Sequence, residues 1–140
     1  MRYKIRPQSG RRSGIAAVET ALILPVLILF MIGTMDLGRV SKVCDSVANA
    51  ARNGAQYGSV NTTAAANSTA IRAAALTEMG NLPNVSSTNP TVTATTVTNS
   101  GQQFIQVTVT YSMTGFSFFN VFSVSNITRT VQMPMMPQAP

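Results

Sequence analysis

Twenty-one consecutive residues, Ile15 to Met35, contain a single charged side chain, Glu19. At 1.5 Å of rise per residue, a helix of this length spans about 30 Å, the thickness of a bilayer's hydrocarbon core. Such a run fixes the first design decision for the chain: it predicts one membrane-spanning helix over 15–35. The 140 residues then leave room for one small domain beside the anchor. Pro25 sits inside the run and is expected to kink the helix or loosen one turn.

Charge is distributed to match. The net charge of +6 would suggest a phosphate-binding surface if it were spread over a domain, but half of the ten basic residues precede Gly14. Arg2, Lys4, Arg6, Arg11 and Arg12 form a leader, 1–14, that lacks acids, and the remainder of the chain is close to neutral. A basic cluster ahead of an apolar run is a topology signal, with Arg11 and Arg12 holding the N-terminus in the cytoplasm. Without Trp or interleaved aromatic and basic residues, no nucleic-acid partner is expected. A cleaved secretory signal fits less well, because the candidate Ala48-Asn49-Ala50 site lies far beyond the apolar run. Cys44 is the only cysteine, which excludes a disulfide within the chain and points to a small packed side chain.

Glu19 stands where a carboxylate is costly unless it reaches the interface or meets a positive partner. Two readings are open. The carboxylate can mark the helix start, where acids favour the positive end of the helix dipole. Alternatively, a cut after Gly14 would expose an α-amino group on Ile15, and Glu19 of the same or a neighbouring subunit could pair with it. That pairing would set axial register when helices bundle.

A basic leader ending in Gly14, then Ile15-Ala16-Ala17-Val18 and Glu19, resembles the processing site of type IV prepilins. The continuation AAVETALILPVLILFMIGTMDLGRV is similar to TadE-like pseudopilins of the tight-adherence (Flp) pilus system. Glu19, Ala21, Leu22, Pro25 and the exit Asp36-Leu37-Gly38-Arg39 carry the likeness, while Thr20 stands where that family usually has an aromatic residue. ANAARNGAQYGS resembles the Ala-rich helix that follows in the family, and the late VTVTYSM and VSNITRTVQMP resemble its closing strands. The resemblance implies insertion in the bacterial inner membrane, cutting by a prepilin peptidase between Gly14 and Ile15, and recognition through Glu19. Its implied partners are the peptidase, other pilin or pseudopilin subunits, the assembly machinery and membrane lipid. The hundred or so residues beyond the anchor argue against the major Flp pilin, which is usually little more than the helix.

After Asp36, Leu37, Val40, Cys44, Val47, Ala51 and Ala55 recur at three- and four-residue steps, with Arg39, Lys42, Asp45, Asn49 and Arg52 between them. This predicts an amphipathic continuation of the helix over 36–58. Gly54 and Gly58 are expected to mark its fraying and termination. Residues 59–133 read as a small α+β domain. A polar linker, Ser59 to Ser68, precedes a short helix, Thr69 to Met79. The pattern then changes to period two: Ile105, Val107, Val109, Tyr111 and Met113 alternate with polar residues, a half-buried strand. Thr91–Thr98 and Asn126–Met133 read as two more strands, with Asn99-Ser100-Gly101-Gln102 as a hairpin turn. Phe116, Phe118, Phe119 and Phe122 are expected to cover the small core rather than to dock a partner or lipid. The tail 134–140 is expected to be mobile. Four N-x-S/T triplets, at Asn61, Asn67, Asn84 and Asn126, follow from the Asn/Ser/Thr-rich composition and are not expected to be modified.

The expected class is therefore α+β, with a long transmembrane helix extended by an amphipathic helix, then a short helix and a small antiparallel sheet. Histidine is absent, the four carboxylates are scattered, and no Cys/His or Gly-rich pattern could hold a metal or nucleotide. Neither a cofactor nor catalysis is expected. The function expected is that of a minor pilin or pseudopilin taking part in pilus assembly, adhesion or biofilm formation. The competing expectation is a permanently anchored single-pass envelope protein whose outer domain binds a ligand or scaffolds a complex.

Overall fold

The computed structural model describes residues 10–83, 85–86, 88–113 and 126–136. Helix α1 runs from Gly10 to Gly58, α2 from Thr62 to Ala66 and α3 from Ser68 to Thr77; strands β1 (Thr91–Asn99), β2 (Gln102–Ser112) and β3 (Asn126–Pro134) follow. The four phenylalanines assigned to the core, Phe116, Phe118, Phe119 and Phe122, lie outside the described residues.

One helix thus joins the apolar run and the domain. It passes through Pro25 without a break and begins four residues before Gly14, so the last residues of the leader belong to it. Its two halves have different surroundings. Large apolar residues from Ile15 to Met35 are exposed except Ile32, which is half-buried, and Leu37 is exposed at 71%. From Val40 onward one stripe turns inward: Val43, Val47, Ala50, Ala51 and Ala55 are buried, and Val40 and Cys44 pack against them half-buried. The predicted stripe is therefore present from Val40, widened by Val43 and Ala50, whereas Leu37 belongs to the exposed half. Ala50, the last residue of the Ala-x-Ala triplet, is fully buried inside α1.

The polar linker contains a helical turn that periodicity did not signal. Asn61 caps α2, accepting the Ala64 N–H on its side-chain oxygen at 2.6 Å, and Asn67 caps α3, accepting the Ala70 N–H at 3.0 Å. Asparagine favours this position because its short side chain replaces the missing intrahelical acceptor. Two of the four N-x-S/T asparagines are thereby accounted for as caps. The α3 helix stops at Thr77, with Glu78 as its C-cap, two residues short of the expected Met79, and it begins one residue early at Ser68.

The sheet is antiparallel in the order β1-β2-β3. Asn99 pairs with Gln102, leaving Ser100 and Gly101 as the turn, both at positive φ (50° and 82°), as a tight two-residue hairpin requires. The register pairs Thr91 with Thr110 and Thr110 with Thr128, and carries Val92 and Val107 to the opposite face. One face is consequently apolar and buried, with Ile105, Val107, Val109 and Tyr111 at its centre. The other is a polar surface, on which the hydroxyls of Thr108 and Thr130 (2.9 Å) and of Thr110 and Thr128 (3.0 Å) bond across strands.

The helix meets the buried face at its two glycines. A Cβ on Gly54 would lie 3.2 Å from Val107 Cγ1, and one on Gly58 would lie 2.9 Å from Ile105 Cγ1. Four residues along the helix and two along the strand cover nearly the same distance, so β2 runs antiparallel to α1. Strands β1 and β3 accordingly run in the same sense as α1. Gly58 does end the helix as expected, but Gly54 is buried in its interior, and both glycines are there because helix and sheet approach closely. The start of the tail is also fixed: Met135 is buried, its N–H donating to Gln103 O, and the Met136 N–H donates to Ser59 O.

Tyr111 closes the core near the end of β2, with its phenol donating to the Pro83 carbonyl. Burial pushes the phenol above its ordinary value of 10.0. A raised folded-state pKa means the stability tied to the neutral phenol is complete below pH 10.0 and is lost as pH rises toward the folded value. Tyr111→Phe should cost about 1 kcal/mol at neutral pH through the lost hydrogen bond. It should also flatten part of the alkaline loss of stability, a difference that denaturant titrations of both proteins across that range would measure.

Candidate functional site: the anchor helix and its processing positions

The candidate residues all lie near the start of α1. Gly14, Ile15 and Glu19 are exposed, Ile15 at 70%, and among the described residues no side chain beyond its chain neighbours approaches within 4 Å of where a Gly14 Cβ would stand. Arg11 and Arg12 fall within the helix one turn earlier. Ile15 and Glu19 are four residues apart, which places them on one helix face a single turn from each other. An α-amino group created on the Ile15 backbone nitrogen would lie about one helical turn from Glu19. Thr20, the position at variance with the resemblance, turns its hydroxyl back to Ala16 O at 2.9 Å. It satisfies its polar group within the helix, which makes a hydroxyl tolerable in an apolar run.

Beyond this cluster the helix surface is almost entirely apolar until Asp36, and Thr34 turns its hydroxyl back to Met31 O at 2.9 Å. The stretch is long and apolar enough to cross a membrane, and its most apolar window is unburied by the protein itself. After it come Asp36 and the exposed Arg39, Lys42 and Asp45, and then the face that carries the sheet. Leu37 is exposed, and three residues later Val40 is packed against the core. Sequence reasoning did not anticipate how short this transition is. Its signal is the three-residue step from Leu37 to Val40, the point at which the stripe begins to be covered.

These features define a class: a protein with one N-terminal helix able to anchor it in a membrane, continuous with a small three-stranded α+β domain. Residues 14–56 match the family model described as TadE-like protein. The match begins at Gly14 and ends two residues before α1 does, so it bears out the TadE-like resemblance over the helix. No curated protein and no solved structure matches the chain.

Proposed function

We propose that the protein is a minor pilin or pseudopilin of a tight-adherence pilus system, anchored in the inner membrane by α1 with the sheet domain outside. One observation carries this reading: the family match opens at Gly14, the glycine that precedes Glu19 by five residues at the head of an exposed apolar helix. A prepilin peptidase cuts between Gly14 and Ile15, removing the basic leader that held the N-terminus in the cytoplasm. The α-amino group left on Ile15 is then neutralised by Glu19, in the same chain or in a neighbour. In a low-dielectric surrounding an unpaired charge is costly, so this pairing rewards one axial register between adjacent helices. The role is structural rather than enzymatic: the chain supplies contacts to other subunits and to the assembly machinery, and through them supports adhesion.

Glu19 provides the test. In cells lacking the native gene, a Glu19→Ala chain should be cut normally yet enter pili or the assembly complex several-fold less than wild type. Immunoblots of sheared surface fractions against membrane fractions measure this split. Pilus yield and subunit recovery equal to wild type would show that Glu19 only marks the helix start.

A further inference from the structure

The sheet has two edge strands, and it guards them unequally. Met135 donates to Gln103 O, so Met133, Val131 and Arg129 also turn their backbone groups toward β2, and Pro134 turns its backbone outward. Pro134 offers no N–H on that edge, and Arg129 adds a charge on the face it shares with Val109. Both features make an edge resist a further strand. Strand β1, with the sequence TVTATTVTN, has neither a proline nor a charge.

The hairpin determines which groups of β1 are open. Asn99 and Gln102 close the two-residue turn as a hydrogen-bonded pair, so Val97, Thr95 and Thr93 likewise bond β2. The N–H and C=O of Ala94, Thr96 and Thr98 therefore point away from the sheet, and among the described residues no backbone group bonds them. Residues 114–125 leave from the opposite end of β2 and return to Asn126 beside it. At no more than about 3.6 Å per residue, a chain of that length reaches out and back about 23 Å. Ala94 pairs with Val107, which puts its outer edge about 20 Å along the strand from Met113 and about 10 Å to the side. Ala94 is thus at the limit of that reach, and Thr96 and Thr98 are beyond it. Residues 137–140 follow Met136 on the β3 side, two strands from this edge. A row of alternating N–H and C=O groups is complemented by one thing, another extended backbone.

Strand β1 is its own complement. About a two-fold axis at Thr96, antiparallel pairing sets Ala94 opposite Thr98 of a second copy and Thr96 opposite its counterpart, and every outward N–H and C=O of these residues finds a partner. Ala94 packs against the core, whereas Thr96 and Thr98 are exposed. The axis therefore sets the covered half of one strand beside the bare half of the other, and the packed layers of the two copies do not collide. Because β1 runs in the same sense as α1, an axis that reverses one reverses the other, and the two long helices leave from opposite ends. We propose that the open edge of β1 pairs antiparallel with β1 of a second copy anchored in a facing surface, which makes the domain a homotypic contact between surfaces. The proposal rests on the reading of α1 as a membrane anchor. One such strand pair is a small, weak interface, and many copies on two surfaces add up.

Opposed Cα atoms in a bonded antiparallel pair stand about 5.5 Å apart, within disulfide range. The full chain, with Cys44→Ser to remove its one thiol, is reconstituted into two vesicle populations that carry different peptide tags. After mixing and mild oxidation, Thr96→Cys should give disulfide dimers bearing both tags, and Thr130→Cys, exposed on β3, should give none. Adding Thr98→Pro, or independently Thr98→Lys, should remove most of the two-tag dimer. The proline takes away only an outward N–H, so β2 amide protection should be unchanged and shows that the sheet is intact. Absence of Thr96→Cys dimers, or dimers undiminished by both Thr98 variants, would overturn the pairing and leave the anchor standing. Dimers carrying one tag only would put both copies in one membrane and overturn the facing arrangement. Chains that fail to float with the vesicles would remove the anchor and the facing arrangement together, a failure seen before any oxidation.

Discussion

A Gly14→Leu chain is expected to remain at full length in cells where the wild-type protein loses residues 1–14. The expectation follows from two properties of the position. The Gly14–Ile15 bond lies inside α1, so a peptidase must draw a turn of helix into an extended shape before it can cut. Glycine is among the poorest helix formers, about 1 kcal/mol below alanine, and it stands near a helix end, where opening is easiest. Leucine reverses that preference and adds a large side chain where the surface now presents none. Gly14 is exposed, and among the described residues no side chain beyond its chain neighbours lies within 4 Å of where its Cβ would stand, so the substitution disturbs no described packing. Electrophoretic mobility and intact mass of the two chains, expressed with the peptidase, make the comparison. A Gly14→Leu chain cut as completely as wild type would mean that Gly14 is not the processing glycine.

The second large effect is expected at Gly58. Its Cβ would stand 2.9 Å from Ile105 Cγ1 and 3.3 Å from Ile71 Cδ1, both buried side chains of the core. Interiors are close-packed, so a leucine there has to push helix and sheet apart or drive neighbours off their rotamers. Gly58→Leu should destabilise the sheet domain by about 3 kcal/mol, the upper range for overpacking. Gly54→Leu should act similarly, because its Cβ is bounded by Val107 Cγ1 at 3.2 Å and by the backbone oxygen of Ile71 at 3.5 Å. Gly33→Leu and Gly38→Leu are the controls: both positions are open, and neither should alter the domain. Hydrogen exchange of the β2 amides in micelles reads the difference. Protection unchanged in Gly58→Leu would show that helix and sheet are not held together at this contact.

How far the sequence disclosed this architecture depended on which physical signal each element carries. The long exposed apolar helix was legible because an apolar run of 21 residues with a single charge is longer than a soluble core helix needs. The central strand was legible because Ile105 to Met113 alternate without a fault, and the hairpin because Ser100-Gly101 supplies the positive φ values its turn needs. Helix α2 was hidden: five residues of Thr and Ala have no periodicity, and only the Asn61 cap hints at a helix start. The role of Gly54 and Gly58 was hidden for a different reason. A glycine pair near a helix end reads equally as termination or close approach, and the partners that decide between them, Ile71, Ile105 and Val107, lie far away in sequence. The expectation of a mobile tail failed at Met135, because Pro134 ends β3 without preventing the next backbone groups from bonding Gln103 and Ser59. At the candidate site, residue identities and spacing were readable, since Gly14, Ile15 and Glu19 sit on one exposed helix. The nearness of the domain to the anchor was not, because it depends on where the packed face begins.

As a pilin-type anchor, this helix should lose its leader at Gly14. The most direct measurement is the N-terminal residue and intact mass of the wild-type protein recovered from membranes of cells with and without a prepilin peptidase. Ile15 should be the first residue when the peptidase is present, and the chain should begin at Met1 when it is absent. A chain beginning at Met1 under both conditions would contradict it.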